Sequence, residues 1–589
     1  MALIEFENFS FRYPKQKNAL SNINLNVSPG EFVLLCGPSG SGKTTLLANI
    51  KNEIKPVGDS EGTIYYDGVD IRNLEEERSA SEIGFLFQNP EDQFVSDNVL
   101  QEIAFSLENM GLSTGEIRNR VAEMAAFFGL DKHLYRNVSE LSGGQKQLVN
   151  LCSLLVLKPK LLLLDEPTSQ LDPIAAYDFL SILRRLNEEF SITIMATEHK
   201  IDNLFPFIDK AVFLEDGFIK YRDEPRRICS EAWKNNIFRN YLPSVTRIHF
   251  LLQSKYQSPN KVEIPLNIRE GRRYLSLLDN QLNGIPRAQL NGGLKLNEDL
   301  NSQNSLDKHS KVLMECKDVW FGYVKEHIVL KGIFLQVKQG EFLSMLGGNG
   351  TGKTTLLQIL SGLLKPQKGK VIHGKNLTLG YVHQNPLIHF RQKTVEEELM
   401  ELSAEFGEDE SRSTGFLGFL SEPSSSKPDD SSSDGSVSEQ EREELIDLFG
   451  LSELLGKHPY DCSGGEQQKI AIAKALLTNP DILFLDEPTK GIDPVSKLQL
   501  ADKLKKLQEN GLTIVMTTHD IEFAAQYTER CVLLFDGGLQ VDDTPKSVFS
   551  NNNFYTTFVN RMVKDYLPDC ITLEGVKEQW MIKEIKFCI

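Results

Sequence analysis

The chain has 589 residues, too many for one ordinary hydrophobic core, so two or more domains are expected. Apolar residues make up 40% and charged residues 25%, an ordinary globular balance in which most of the chain should bury cores. A formal charge of −18 disfavours any role resting on sequence-independent binding to nucleic-acid phosphates, and no apolar run approaches the ~20 residues that span a bilayer.

From the first residues, "IEFENFSFRY" (4–13) and "LSNINLNV" (20–27) alternate in polarity and predict half-exposed antiparallel strands. The opening lacks the basic and apolar regions of a secretory signal, which fits a soluble chain. "EFVLLCG" (31–37) is a short buried-strand run that ends in a Gly-rich turn, and "KTTLLANI" after it predicts a helix. "KLLLLD" (160–165), "ITIMAT" (192–197) and "KAVFLED" (210–216) are further strand-length apolar runs, as a buried parallel sheet requires. "LPSVTRIHFLLQSKYQ" (242–257) predicts a helix, whereas "NGIPRAQLNGGLKLNEDLNSQNS" (283–305) has the Asn/Gly content of a linker.

Beyond the linker the pattern starts again. "GPSGSGKTTLL" (37–47) returns as "GGNGTGKTTLL" (347–357), "LLLLDEPTSQLDP" as "ILFLDEPTKGIDP" (482–494), and "TIMATEH" as "TIVMTTH" (513–519). Ser142 to Asp165 and Ser463 to Asp486 both span 23 positions, and Glu166 to His199 spans 33 against 32 for Glu487 to His519. Two copies of one domain therefore stand in tandem. Gln88 to Ser142 is 54 positions but Gln384 to Ser463 is 79; the excess falls on the Ser/Asp/Pro tract 421–443, expected to be a disordered surface insertion. The expected domains are 1–230, a partly helical extension and linker 231–310, a second copy 311–548, and a C-terminal extension 549–589. The fold class is α/β: tandem P-loop domains, each with an antiparallel β edge. The eight cysteines form no CxxC pair and no regular framework, which predicts free thiols in a reducing compartment.

The chemistry is carried by two loops of the form G-x-x-x-x-G-K-S/T. Gly37, Pro38, Ser39, Gly40, Ser41, Gly42, Lys43, Thr44 and Thr45 form the first; Gly347, Gly348, Asn349, Gly350, Thr351, Gly352, Lys353, Thr354 and Thr355 form the second. Their glycines let backbone N–H groups face a β-phosphate at the positive end of a helix. Lys43 and Lys353 should reach β/γ oxygens, while Thr44 and Thr354 should ligate Mg²⁺. Asp165 and Asp486, each ending an apolar strand, supply the partner carboxylate for the metal, directly or through water. Glu166 and Glu487 sit where a carboxylate can orient or deprotonate an attacking water. His199 and His519 end apolar strands at matched spacing and are candidates for a γ-phosphate contact. Gln88 and Gln384, each before an Asn-Pro turn, are candidate γ-phosphate sensors and metal ligands. Tyr13 and Tyr323 are candidates to stack on an adenine ring.

Two further turns, Ser142-Gly143-Gly144-Gln145 and Ser463-Gly464-Gly465-Glu466, open predicted helices and so offer anion sites, yet neither lies beside its own phosphate loop. If the two domains face each other head to tail, each turn closes over the nucleotide that the other domain's loop holds. Neither copy then completes a site alone.

This set of motifs resembles the ATP-binding cassette ATPases over nearly the whole chain. The resemblance implies a RecA-like core with a helical subdomain, ATP and Mg²⁺ as cofactors, and ATP hydrolysis. Walker A loop, Q-loop, signature, Walker B, D-loop (Asp172, Asp493) and switch histidine occur twice, in that order. By that architecture Lys43, Thr44, Gln88, Asp165, Glu166 and His199 pair with Ser463, Gly464 and Gly465. Lys353, Thr354, Gln384, Asp486, Glu487 and His519 pair with Ser142, Gly143 and Gly144. Cys462 and Glu466 depart from the usual Leu and Gln, and Glu466 is expected to place a negative charge near the phosphates.

"LFQNPEDQFVSDNVLQEIAFSLENMGL" (86–112) and "IPLNIREGRRYLSLL" (264–278) are similar to segments of energy-coupling factor importer ATPases. "YVHQNPLIHFRQKTVEEEL" (381–399) matches less well. The resemblance implies an ATPase on the cytoplasmic face of the cell membrane. Its partners would be a transmembrane coupling subunit and a substrate-binding membrane subunit, for a vitamin or transition-metal ion. No nucleic acid and no metal ligand beyond Mg-ATP are expected. The alternatives are a soluble tandem-cassette ATPase acting on ribosomes or nucleic acid, and a fused sugar-importer ATPase.

Overall fold

The structure is a computed structural model that describes residues 2–256, 262–279, 311–324, 327–405, 439–553 and 555–581. The chain forms two compact units. The first is Met1–Gln281 with Asp493–Val495 and Lys577–Ile589, and the second is Leu282–Ile492 with Ser496–Val576.

In the first unit the alternating segments form the antiparallel sheet that their polarity predicts. Ile4–Arg12 lies between Asn18–Val27 and Asp59–Tyr66, with Val69–Asp70 at the edge. The buried runs form a second sheet in the order Phe218–Asp223, Lys210–Glu215, Phe32–Cys36, Thr193–Thr197, Leu161–Leu164, Ile83–Leu86. All its pairs are parallel except the Phe218–Asp223 edge. Phe32–Cys36, Leu161–Leu164 and Thr193–Thr197 are buried along their whole length, which is why they read as unbroken apolar runs rather than alternating ones. Two cores flank this sheet. One gathers Phe32, Leu34, Leu162, Leu164 and Ile194 with the helices; the other gathers Val33, Leu35, Leu161, Leu163 and Met195 with the antiparallel sheet. That split is the period-2 rule applied to a strand covered on both faces.

The second unit repeats the plan. Val312–Phe321 pairs with Leu330–Lys338 and Lys368–His373, and the larger sheet runs Leu379–Val382, Ile482–Asp486, Thr513–Thr517, Phe342–Leu346, Arg530–Phe535, Gly538–Asp543. In both units the strand that feeds the phosphate loop is central, so the loop emerges at the carboxyl ends of the parallel strands, where open α/β sheets bind ligands.

The segment after the first copy is helical over Pro225–Lys234, Ser244–Gln253 and Ile268–Leu277. It docks within the first unit: Arg226 forks onto Glu270 at 2.9 and 3.1 Å, and Thr246 donates to the Pro265 carbonyl at 2.7 Å. Of the linker expectation, 283–305 lies outside the described residues. Most of the tract 421–443 lies outside them too, but its last residues do not fit a disordered insertion, because a helix already runs from Glu439 to Phe449. Leu445 and Phe449 bury an i, i+4 stripe there, which is apolar surface enough to order the turn before it. Deleting 421–438 is expected to leave the steady-state ATPase rate within about twofold and the melting temperature within a few degrees, by activity assay and calorimetry. The seven cysteines among the described residues are all buried free thiols.

Candidate functional site

Each phosphate loop turns on glycines that no other residue could replace. Gly37 and Gly347 have φ of 149° and 152°, and an added Cβ would lie 2.2 and 2.6 Å from the carbonyl oxygens of Leu214 and Leu534. Gly42 and Gly352, at φ 97° and 98°, are the N-caps of the helices Lys43–Ala48 and Lys353–Leu360. Lys43 Nζ donates to the carbonyls of Gly37 (2.8 Å) and Pro38 (2.9 Å), and Lys353 Nζ to those of Gly347 (3.1 Å) and Gly348 (3.0 Å). The lysines thus fold back over their own loops, each only 6% exposed. Burial pulls the Lys43 ammonium below its ordinary pKa, against the attraction of Glu166 and Asp493.

The residues expected to hold the metal come together in both units. Thr44 Oγ1 donates to Asp165 Oδ1 and Thr354 Oγ1 to Asp486 Oδ1, each at 3.0 Å. A second threonine joins from the switch strand: Thr197 donates to Asp165 at 2.8 Å and Thr517 to Asp486 at 2.6 Å. The same hydroxyls accept the N–H of Glu166 (2.8 Å) and Glu487 (2.9 Å), which stand at φ 44° and 49°. Thr197 and Thr517 are functional-site residues missed in the sequence, although both copies carry a threonine as the last residue of that strand. Magnesium fits this set. Asp486 Oδ2 is buried and meets no hydrogen-bond donor, and an orphaned carboxylate oxygen beside a threonine hydroxyl suits a hard cation.

The two glutamates share a plan but not the same partners. Glu166 accepts from Gln88 Nε2 at 2.8 Å through one oxygen and faces His199 Nε2 at 2.8 Å with the other. Burial raises its pKa, but His199 and Lys43 outweigh that, so it lies below its ordinary value. Glu487 sits 3.1 Å from His519 Nε2 and 3.9 Å from Lys353 Nζ, and His519 Nε2 lies 3.0 Å from that same ammonium. Burial dominates there and lifts the Glu487 carboxyl above its ordinary value. Gln384 has no such hydrogen bond to Glu487 among those the structure describes. Its neighbours His383 and His389 are tied to one another instead, His383 N donating to His389 Nε2 at 2.9 Å.

Tyr13 and Tyr323 stand on the rim of their loops, each hydroxyl against a loop threonine: Thr45 at 3.1 Å and Thr355 at 3.2 Å. Each ring is braced edge-on by the preceding Phe11 or Phe321 at 5.1 Å. Tyr323 is 63% exposed, so a flat apolar face is presented to solvent.

The Ser-Gly-Gly turns begin the helices Gly143–Leu155 and Gly464–Leu476, and both close as capping boxes. Ser142 N donates to Gln145 Oε1 (3.0 Å) and Ser463 N to Glu466 Oε2 (2.7 Å). The expectation for Glu466 changes accordingly: its carboxylate turns back onto its own N-cap amide instead of pointing outward at an approaching phosphate. The first-turn amides of Gly143 and Gly144, and of Gly464 and Gly465, lie outside the boxes and stay available to an anion. Asp172 caps the helix Pro173–Phe190. Asp493, grouped with the first unit, accepts from Ser39 Oγ at 2.7 Å and Tyr241 at 2.9 Å.

Two phosphate loops, each facing an Asp-Glu pair and a histidine, define a tandem P-loop ATPase. The family model described as "ABC transporter" matches residues 20–169 and 330–490. A putative ABC transporter ATP-binding protein of Bacillus cereus is 40% identical over 591 residues, covering 98% of both chains. A protein of the same description from Methanosarcina mazei is 32% identical across 93% of this chain and 90% of its own. The solved RNase-L Inhibitor superposes with a TM-score of 0.55 at 19% identity, over 99% of this chain and 100% of that one, a likeness of fold. The chain belongs to the ABC transporter family of ATP-binding proteins, and it is an ATP- and magnesium-dependent ATPase.

Proposed function

We propose that this ATPase energises a membrane importer of the energy-coupling factor type, built with a transmembrane coupling subunit and a substrate-binding membrane subunit for a vitamin or transition-metal ion. The observation that carries this reading is the wiring of residues 86–112, the segment similar to such importers. Gln88 at its start donates to Glu166, and Glu102 further along, buried in the helix Val99–Asn109, accepts from the N–H groups of Val95 (3.0 Å) and Ser96 (2.8 Å). A partner pressing on this surface segment would therefore be felt at the carboxylate beside the phosphate loop. Among the described residues no helix is long and apolar enough to cross a membrane.

In the mechanism, Lys43 and Lys353 would hold the terminal phosphates, and Thr44 with Asp165, and Thr354 with Asp486, would hold magnesium. When bound, the metal neutralises phosphate charge. Glu166 accepts a proton from the attacking water, and His199 fixes the carboxylate's orientation; Glu487 and His519 do the same in the second cassette. Ser463, Gly464 and Gly465 complete the first site and Ser142, Gly143 and Gly144 the second, by head-to-tail closure. Tethering makes that closure intramolecular, at an effective concentration on the order of mM for a short flexible linker and less for a long one. Loss of the γ-phosphate contacts on hydrolysis then loosens the pair.

The test is affinity purification of the full chain from detergent-solubilised membranes, with mass spectrometry of what accompanies it. A polytopic coupling subunit together with a small substrate-binding membrane protein is expected. Recovery of ribosomes instead overturns the reading.

A further inference from the structure

The residue before each switch histidine differs between the copies: Glu198 in the first and Thr518 in the second. Glu198 is only 2% exposed and all four of its contacts are defined. Oε1 accepts the backbone N–H of His199 (2.9 Å) and Lys200 (3.2 Å). Oε2 accepts the hydroxyl (2.7 Å) and the N–H (3.3 Å) of Thr168, two residues beyond Glu166. A buried carboxylate is stable when it accepts several N–H and O–H bonds, and here it has four. It bolts the switch-histidine turn to the turn that follows the catalytic glutamate.

In the second unit the shorter Thr518 joins the same two turns through a single hydroxyl, which leaves the histidine N–H without it. Its hydroxyl reaches Thr489 at 3.2 Å and accepts Asp520 N at 2.9 Å. The His519 N–H, left over, donates at 3.2 Å to an oxygen of Glu487 itself. The His199 N–H is held by Glu198 instead, so both oxygens of Glu166 serve side chains: Gln88 at one and the His199 ring at the other. A hydrogen bond from a fixed backbone amide restricts a carboxylate's rotation, which opposes its alignment on an attacking water.

We propose that Glu198 is a positioning residue for ATP hydrolysis in the first cassette. It draws the switch-histidine backbone away from the catalytic carboxylate and so makes that cassette the faster of the two. This rests on the reading of Glu166 and His199 as the hydrolytic pair.

The test compares Glu198→Thr, Glu198→Gln and Glu166→Gln in the full chain, measuring kcat, KM for ATP and melting temperature. Glu198→Thr reproduces the arrangement of the second cassette and is expected to lower kcat about three- to tenfold, with KM within twofold. Glu198→Gln keeps a carbonyl oxygen for the backbone amides of His199 and Lys200 and an NH₂ that can donate to the Thr168 hydroxyl, giving up only the longer bond from the Thr168 N–H, so it is expected to retain more than half of kcat. A fall of both variants together with a lower melting temperature would make Glu198 merely structural and overturn the proposal. An unchanged kcat in Glu198→Thr, or a raised KM at constant kcat, overturns it as well. If Glu166→Gln itself retains full activity, the reading of the hydrolytic pair fails, an outcome separate from either of those.

Discussion

The double variant Glu166→Gln, Glu487→Gln is expected to bind Mg-ATP with an affinity within a few-fold of the native chain while hydrolysing it ~10²–10⁴ times more slowly. Removing a general base costs about that much, which is about 3–5 kcal/mol of barrier. Binding should survive because the groups that grip phosphate, Lys43 and Lys353 on their loops, do not depend on the glutamates for position: each ammonium is held by two loop carbonyls. Folding should survive because glutamine keeps the shape of the side chain, and the strained φ of 44° and 49° at these positions is held by the backbone N–H donating to the Thr197 or Thr517 hydroxyl rather than by the carboxylate. The single variants should differ. Both oxygens of Glu166 meet side chains, Gln88 at one and the His199 ring at the other, whereas one oxygen of Glu487 is tied to the fixed His519 N–H. Glu166→Gln should therefore remove the larger share of the steady-state rate. Fluorescent-nucleotide binding and phosphate release measured on the same preparations check both halves; brisk hydrolysis by the double variant would take the glutamates out of the chemistry.

The parallel sheets were legible because a strand covered on both faces reads as an unbroken apolar run, and "LLLL" at 161–164 can be little else once it stands between a turn and an Asp-Glu pair. The phosphate loops were legible because close approach of backbone to phosphate demands glycine at fixed intervals, and Gly37 and Gly42 stand where a Cβ would collide. The supporting residues were not. Thr197 and Thr517 work through one hydroxyl each, and a threonine at the end of an apolar strand carries no signal until the strand is seen beside Asp165 or Asp486. Glu466 reads in the sequence as a negative charge near the phosphates, although Ser463 three residues before it gives the S-x-x-E spacing of a capping box, a local bond that turns the carboxylate onto its own N-cap amide because that partner is always within reach. Glu198 was silent for a different reason: its four donors come from Thr168 and from the turn at 199–200, and only folding brings Thr168 to it.

Gly143→Asp together with Gly464→Asp is expected to abolish at least ~99% of ATP hydrolysis while each phosphate loop still binds nucleotide. Both glycines are the first helical residue after the serine cap, where an added Cβ meets only the Gln170 carbonyl oxygen at 3.6 Å or that of Gly491 at 3.9 Å, ordinary van der Waals distances. Neither has a positive φ, so an aspartate can take the backbone without strain. A carboxylate at a helix N-terminus is favourable to the helix, so melting temperature should hold or rise slightly. What the substitution spoils is the use of that N-terminus by any other anion: a fixed negative charge now occupies the place where the free amides would meet a phosphate, and like charges at ~4 Å repel by roughly 1 kcal/mol in water and several-fold more in a closed, dry interface. Loss of turnover with intact folding and intact binding is what the proposed head-to-tail closure requires, because the turn then acts on a nucleotide that the other cassette's loop holds. Undiminished hydrolysis by this double variant would mean that each cassette works alone, and the second copy would need another explanation.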